Sequence, residues 1–395
     1  MPLRPGSVPT VSRSSAAGWI SVALVAAYLA IEDGPWRVPM PGGLPLLPVW
    51  IVAVVVALGT LAWTGRRIDP RIVLATMEIA AAILFDATFF EGVAFRDLSI
   101  YLRAGASFRL GQPVYLDHLV TSLPPDPTTY PFLYPPPALP FAAVLSLLPQ
   151  PLVTLAWEAA LLGAAIAGLR LLGLDWRWTA AMLAWPPFAQ GLYVGNVALP
   201  LFLLFVLGPW LGAGLVAGAL LKPQAGLAGL WLVREGQWRQ LGLGVAFVAG
   251  VVLLTAPVTG LDPWRAWLDG LAWFSRSQPF VPRTFYGFAL GEYLPAIEAF
   301  GLGAMVTVLA VTARGRPGLA RLGVATVVAS PSLYAHGFTV ALPALLELDA
   351  VPFWVAIALT SVSGGPAWFA ALAIVVAGWF VPALRRPAPE PGDQG

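Results

Sequence analysis

The sequence predicts an all-α membrane protein, a polytopic transmembrane helical bundle of about 11–13 crossings, each needing roughly 20 apolar residues. Three observations carry that prediction. Of 395 residues, 58% are hydrophobic and 11% charged, with a mean hydropathy of +0.78; a soluble domain carries about 25% charged residues to coat its surface. Apolar runs recur along the chain, separated by short polar or basic stretches. Lipid offers the backbone no hydrogen bonds, so runs of this kind must be helices.

The candidate spans, in order, are 16–31, 44–63, 72–90, 136–149, 151–173, 178–194, 197–209, 210–221, 223–234, 240–259, 294–313, 318–334, 338–347, 351–363 and 366–384. Several fall short of a full crossing, so some merge, break or re-enter. Pro186, Pro187, Pro200 and Pro209 stand inside them, as membrane helices tolerate. The first run, 16–31, is followed by "EDGPWR" with no small-residue cleavage site, and reads as a span or signal anchor. Residues 1–66 form a tail with two leading helices, 67–384 a transmembrane core, and 385–395 a disordered cytoplasmic tail.

Arginines orient the bundle. "GRRIDPR" (65–71), "VREGQWR" (233–239), "ARGRPGLAR" (313–321) and "LRRP" (384–387) are four basic clusters, read as cytoplasmic by the positive-inside rule. The count then puts 91–135, 260–293 and the stretch near 335–337 outside. It does not close between 136 and 200, where one short segment re-enters. The first outer loop contains an interfacial helix at 98–110, with Leu98, Tyr101, Leu102, Phe108 and Leu110 as apolar positions. The second, "GLDPWRAWLDGLAWFSRSQPFVPRTFYGFALGEY", is rich in aromatics that settle at headgroup level.

The net charge of +2 comes with arginines at loop positions and points to membrane lipids as partners, not to nucleic acid. With no cysteine, disulfides, thiolate metal sites and a cysteine nucleophile are excluded. No Asp-x-Asp pair occurs in the outer loops, and octahedral Mg²⁺ or Mn²⁺ wants clustered oxygens, so neither a metal nor another cofactor is expected.

Four ionisable or amide residues near the outer face stand out. Asp97 follows Arg96 at the start of the interfacial helix, with Tyr101 one turn on; an aspartate there is often an N-cap. Lys222 in "GALLKPQAGL" is flanked by apolar residues, so it snorkels to the interface or meets an anion. His336 in "SPSLYAHGF" is one of two histidines and reads equally as a structural residue. Asn196 in "YVGNVALP" starts a run and reads equally as a cap. Their shared side of the membrane is what singles them out.

The order "RDLSIYLRAGASFRLGQPVY", "YPPPALPFAAVLSLLPQPLVTLAWE", "GNVALPLFLL", "GALLKPQAGLAGLWLVREGQWR", "SPSLYAHGFTVALPALL" resembles glycosyltransferase family 87, membrane enzymes of the GT-C superfamily. Their best-known members are polyprenyl-phosphate-mannose-dependent α-mannosyltransferases. The resemblance runs from about residue 72 to 350 and covers Asp97, Tyr101, Ala104, Gly111, Pro113 and Tyr115 in the first loop. It continues with Tyr134, Pro135 and Pro136, then Leu221 and Lys222, then Ser330, Pro331, Tyr334 and His336. Departures are Asn196 after Gly195, Gly337 in place of a second histidine, and "PRTFYG" in the second outer loop.

The resemblance implies transfer of a hexose, with inversion, from a polyprenyl monophosphate to a hydroxyl of a glycolipid or lipid-linked glycan at the extracytoplasmic face of the cell membrane. Such chemistry needs a carboxylate to take the hydroxyl proton, and Asp97 is the candidate. It needs donors or cations for the departing phosphate: Lys222, His336, Arg96, Arg103 and Arg283. Tyr101, Tyr134 and Asn196 complete the expected substrate contacts. The proline-studded "TTYPFLYPPPALP" (128–140) would hold the aspartate loop against the membrane surface, its prolines stiffening an extended segment. A transporter or lipid flippase is the competing reading; Glu78, Asp86 and Glu158 are the ionisable residues deep in spans that it would use. A GT-C relative using a different polyprenyl-phosphate sugar is the other.

Overall fold

A computed structural model describes residues 95–115, 132–277, 289–360 and 366–385. The expectations for 1–94, for the remainder of the first outer loop, for Arg283 and for the tail from 386 lie outside the described residues. Within them the chain is helical, with no strand; Leu348 and Arg385 form an isolated bridge.

The helix expected at 98–110 is present as α1, Arg96–Arg109. Its N-cap is Phe95, at φ 60° and ψ 27°, with no side-chain cap. A bulky residue in the left-handed region stores about 1–3 kcal/mol of strain, and here the Phe95 N–H is pinned to the Tyr193 carbonyl at 2.8 Å. Asp97 is therefore not an N-cap, and its carboxylate remains available for other partners. The ramp leads into α2, Ala138–Leu145. The two helices cross at Gly105, where a Cβ would lie 2.1 Å from the Ala142 carbonyl oxygen. Small residues at a crossing let helix backbones approach, the usual packing device in lipid.

Then come α3 (Gln150–Leu171), α4 (Trp176–Ala184), α5 (Pro186–Val194) and α6 (Ala198–Val206). The run at 178–194, expected as one span, breaks at Trp185, whose ψ of 128° is extended, because Pro186 disfavours helix in the residue before it. Gly168 of α3 receives the Phe202 ring of α6, 2.4 Å from where a Cβ would be. Around Lys222 the expected spans 210–221 and 223–234 also break. Helix α7 (Gly212–Ala217) gives way to 3-10 turns at Gly218–Leu220 and Pro223–Gly229 before α8 (Leu230–Arg234). Glycines at 212, 214 and 218 and the proline at 223 weaken regular helix there.

Beyond lie α9 (Trp238–Thr259), α10 (Asp262–Ser277), α11 (Ala296–Thr312) and α12 (Gly315–Val328). A 3-10 segment at Ala335–Ala341 precedes α13 (Leu342–Leu345), α14 (Ala350–Thr360) and α15 (Pro366–Gly378). Gly323 of α12 seats the 3-10 segment, since a Cβ would meet the Val340 carbonyl at 2.1 Å. Trp185, Phe188, Phe202, Phe338, Phe353 and Trp368 are fully buried at the centre of the main core.

Among the described residues, α3 and α9, 22 residues each, are long and apolar enough to cross a bilayer alone. Helix α9 leaves Leu243, Val245, Phe247, Leu253, Leu254 and Val258 exposed, a surface that suits lipid and not water. The other apolar segments are shorter because the breaks above interrupt them, so the crossing count predicted from run lengths is not reproduced there.

Candidate active site

A cavity of about 390 Å³ opens where α1, the ramp, the α5–α6 junction, the Lys222 turn, α10 and the 331–336 segment converge. Helical spacing puts Arg96, Asp97, Ile100 and Tyr101 of α1 on it, positions three and four apart sharing a face. Arg103, expected among the substrate contacts, is not among the residues that line this cavity. Tyr134, Asn196, Lys222 and His336 are brought to the cavity together with Asp97.

Asp97 is buried and held from both sides. Arg96 Nε donates to Oδ1 at 3.0 Å, and Asn196 Nδ2 donates to Oδ2. Asn196 is itself fixed, its Oδ1 accepting the Ala198 N–H at 2.8 Å. One side chain thus ties the start of α6 to the aspartate. The chain reaches this clamp through Gly195, which ends α5 at φ 73°; a Cβ there would lie 3.1 Å from that of Leu98, one residue after Asp97.

Tyr101 and Tyr134 meet hydroxyl to hydroxyl at 2.7 Å, and Asn196 Nδ2 also reaches Tyr134 Oη at 3.4 Å. Burial, then the Tyr134 and Asp97 charges, push the Tyr101 phenol well above its ordinary pKa; burial and Asp97 likewise raise Tyr134. Both stay protonated and serve as hydrogen-bonding groups. Tyr115 donates to the Tyr134 carbonyl at 2.8 Å, and Trp157 Nε1 to the Gly195 carbonyl at 2.9 Å, bracing the same wall.

Lys222 is the second cation on the cavity, beside the paired Arg96. Burial pushes its ammonium down to about 8, partly offset by Asp97, and among the described residues no carboxylate forms a direct ion pair with it. A desolvated cation facing a cavity is a receptor for an anion. His336, expected among the donors or cations for the phosphate, is held by Gln190. Its backbone N–H donates to Gln190 Oε1 at 2.9 Å, which fixes that atom as an acceptor. The ring Nδ1, 3.0 Å from the same oxygen, must then carry the proton, leaving Nε2 with a lone pair. Burial, then Lys222 and Arg96, push its pKa well below the ordinary value, so the ring is neutral. It stacks on Tyr334 at 5.5 Å between centroids, and the Arg96 guanidinium lies 5.7 Å from the other ring's centre.

Sequence reasoning missed Gln190, Gln224, Ser332, Trp267 and Leu271. Gln190 had a signal, a lone amide in the apolar run "PPFAQGLYV", but its partner lies 146 residues away. Trp267 and Leu271 had only the amphipathic stripe of α10. A smaller chamber of about 50 Å³, lined mostly by apolar residues of α6, α7 and α12, adjoins the cavity. The two share Lys222, Gln224, Ser332, Tyr334 and His336.

These features define a helical membrane protein with a carboxylate, a desolvated ammonium and a neutral imidazole on one cavity. Residues 132–331 match glycosyltransferase family 87, and the chain belongs to that family. The matched stretch holds Tyr134, Asn196 and Lys222 and stops short of Asp97 and His336. The chain is also similar, at 29% identity over 236 residues, to the polyprenol-phosphate-mannose-dependent alpha-(1-2)-phosphatidylinositol pentamannoside mannosyltransferase of Mycolicibacterium smegmatis. That alignment covers 54% of this chain and 55% of the relative, so the chain spans about half the length of the curated relative it matches. No solved structure matches the chain.

Proposed function

We propose that the protein is a multi-pass membrane glycosyltransferase that moves a hexose, mannose, from a polyprenyl monophosphate to a hydroxyl of a glycolipid or lipid-linked glycan. The observation that carries the reading is the placement of Asp97 and Lys222 on one cavity. An acceptor hydroxyl beside Asp97 gives up its proton to the carboxylate as its oxygen attacks the anomeric carbon. The bond from that carbon to the phosphate oxygen breaks on the opposite face, so configuration inverts. The polyprenyl phosphate leaves with the bonding electrons, and the Lys222 ammonium, with Arg96 beside it, takes up the developing charge. General-base help of this kind is worth about 10²–10⁴ in rate. His336 accepts a sugar hydroxyl through Nε2, and the neighbouring apolar chamber receives the lipid end of the donor. No metal enters this scheme.

The extracytoplasmic placement of the site rests on α12. Arg314 and Arg316 stand at its start and the cavity residues Pro331 to His336 lie just beyond its end. Its 14 residues rise roughly 21 Å, which separates the basic, cytoplasmic end from the site. The test is purified protein in nanodiscs supplied with polyprenyl-phosphate mannose and octyl α-mannoside. A disaccharide product with the anomeric configuration opposite to the donor's is expected; retention, or donor transport without transfer, contradicts the reading.

A further inference from the structure

The cavity has two unlike ends. Lys222, Gln224, Ser332, Tyr334 and His336 adjoin the small apolar chamber, whereas Trp267 and Leu271 line the cavity alone. Both come from α10, four positions apart on one face. Trp267 has one polar group, its indole N–H, and that is spent on the Leu133 carbonyl at 2.9 Å. Trp264 packs edge-on against it, centroids 6.0 Å apart at 84°. The ring is fixed in orientation and has only carbon surface left to offer. Leu271 extends that apolar wall, and Asp97, Asn196, Tyr101 and Tyr134 line the same cavity.

A pyranose has the matching asymmetry, a rim of hydroxyls and a face of C–H groups. We infer that Trp267 is the platform on which the acceptor sugar stacks, turning its reactive hydroxyl toward Asp97. The assignment to acceptor and not donor follows from the order of the groups: the phosphate-binding cation and the apolar chamber lie at the other end. The stacked sugar is a terminal hexose whose nucleophilic hydroxyl lies on its rim, so that C–H face and hydroxyl address different parts of the cavity. Trp267 fixes the acceptor by its indole surface, and the Leu133 hydrogen bond fixes the indole. This inference rests on the transferase reading above.

Three variants separate platform from tether. Trp267→Phe keeps an aromatic face and loses the hydrogen bond to Leu133; Trp267→Leu keeps apolar bulk and loses both; Trp267→Ala loses all. With polyprenyl-phosphate mannose as donor and octyl α-mannoside as acceptor, the leucine and alanine variants should raise acceptor KM roughly tenfold. Their donor KM should stay unchanged, which also reports an intact fold, and the phenylalanine variant should stay within about threefold of wild type. Equal impairment in the phenylalanine and leucine variants, or acceptor and donor KM rising together, overturns the platform. A wild-type protein that transfers no sugar overturns the transferase reading itself, so the two failures are distinguishable.

Discussion

In the proposed reaction the Lys222 ammonium takes the phosphate charge. Burial lowers its pKa to about 8, so the cation is present below that pH and lost as pH rises through it. The value of kcat/KM for the donor, which reports the free enzyme, should therefore fall about tenfold per unit above pH 8. Lys222→Arg should remove that limb, because a guanidinium stays charged, and Lys222→Met should cost about 10²–10³ in donor kcat/KM at pH 7. A pH profile unchanged in Lys222→Arg would show that another group titrates. Asn196 hydrogen-bonds the Asp97 carboxylate. Asn196→Ala removes the donor to Oδ2 and the cap on Ala198, and kcat should drop about 10–100-fold as the carboxylate loses its alignment, with donor KM little changed. Equal kinetics in that variant would make the clamp dispensable. Asp97, Asn196, Lys222 and His336 stood out in the sequence because an ionisable or amide group beside an apolar run is conspicuous, and Tyr134 through the family motif; with Tyr101 they line one cavity. The tautomer of His336 was hidden because it depends on Gln190, distant in sequence.

At the scale of elements, the seat of α1 on α2 is what holds the aspartate over the cavity. A Cβ on Gly105 would fall 2.1 Å from a backbone carbonyl, which cannot move aside as a side chain would. Gly105→Ala should destabilise the protein by about 1–3 kcal/mol, seen as a lowered Tm in detergent, and should lower kcat. Gly163→Ala in α3 meets nothing within 4 Å and should leave both unchanged. If the two behave alike, the close crossing is not what positions α1. Helix α1 itself was readable from its apolar spacing, and its observed bounds lie close to the expected ones. The breaks at Trp185, around Lys222 and after Val328 were less so. Glycine and proline are common in uninterrupted membrane helices too, so their presence alone does not say where the helix gives way. The breaks around Lys222 and after Val328, with the turn at Gly195, bring Lys222, His336 and Asn196 to one cavity.

For the whole molecule, the apolar composition and the basic clusters imply both a membrane and a direction through it. The cysteine-free sequence makes the direction measurable with single introduced thiols. Gln112→Cys, exposed just beyond α1, should react with a membrane-impermeant maleimide added to intact cells, whereas Arg239→Cys, exposed at the start of α9, should react after permeabilisation only. The opposite pattern would put the site on the cytoplasmic side. The proposed reaction depends most on the proton leaving the acceptor through the buried carboxylate of α1. The direct measurement is turnover of purified Asp97→Asn with saturating polyprenyl-phosphate mannose and octyl α-mannoside, alongside donor affinity. A loss of about 10²–10⁴ in kcat with donor binding retained is predicted; turnover equal to wild type would contradict it.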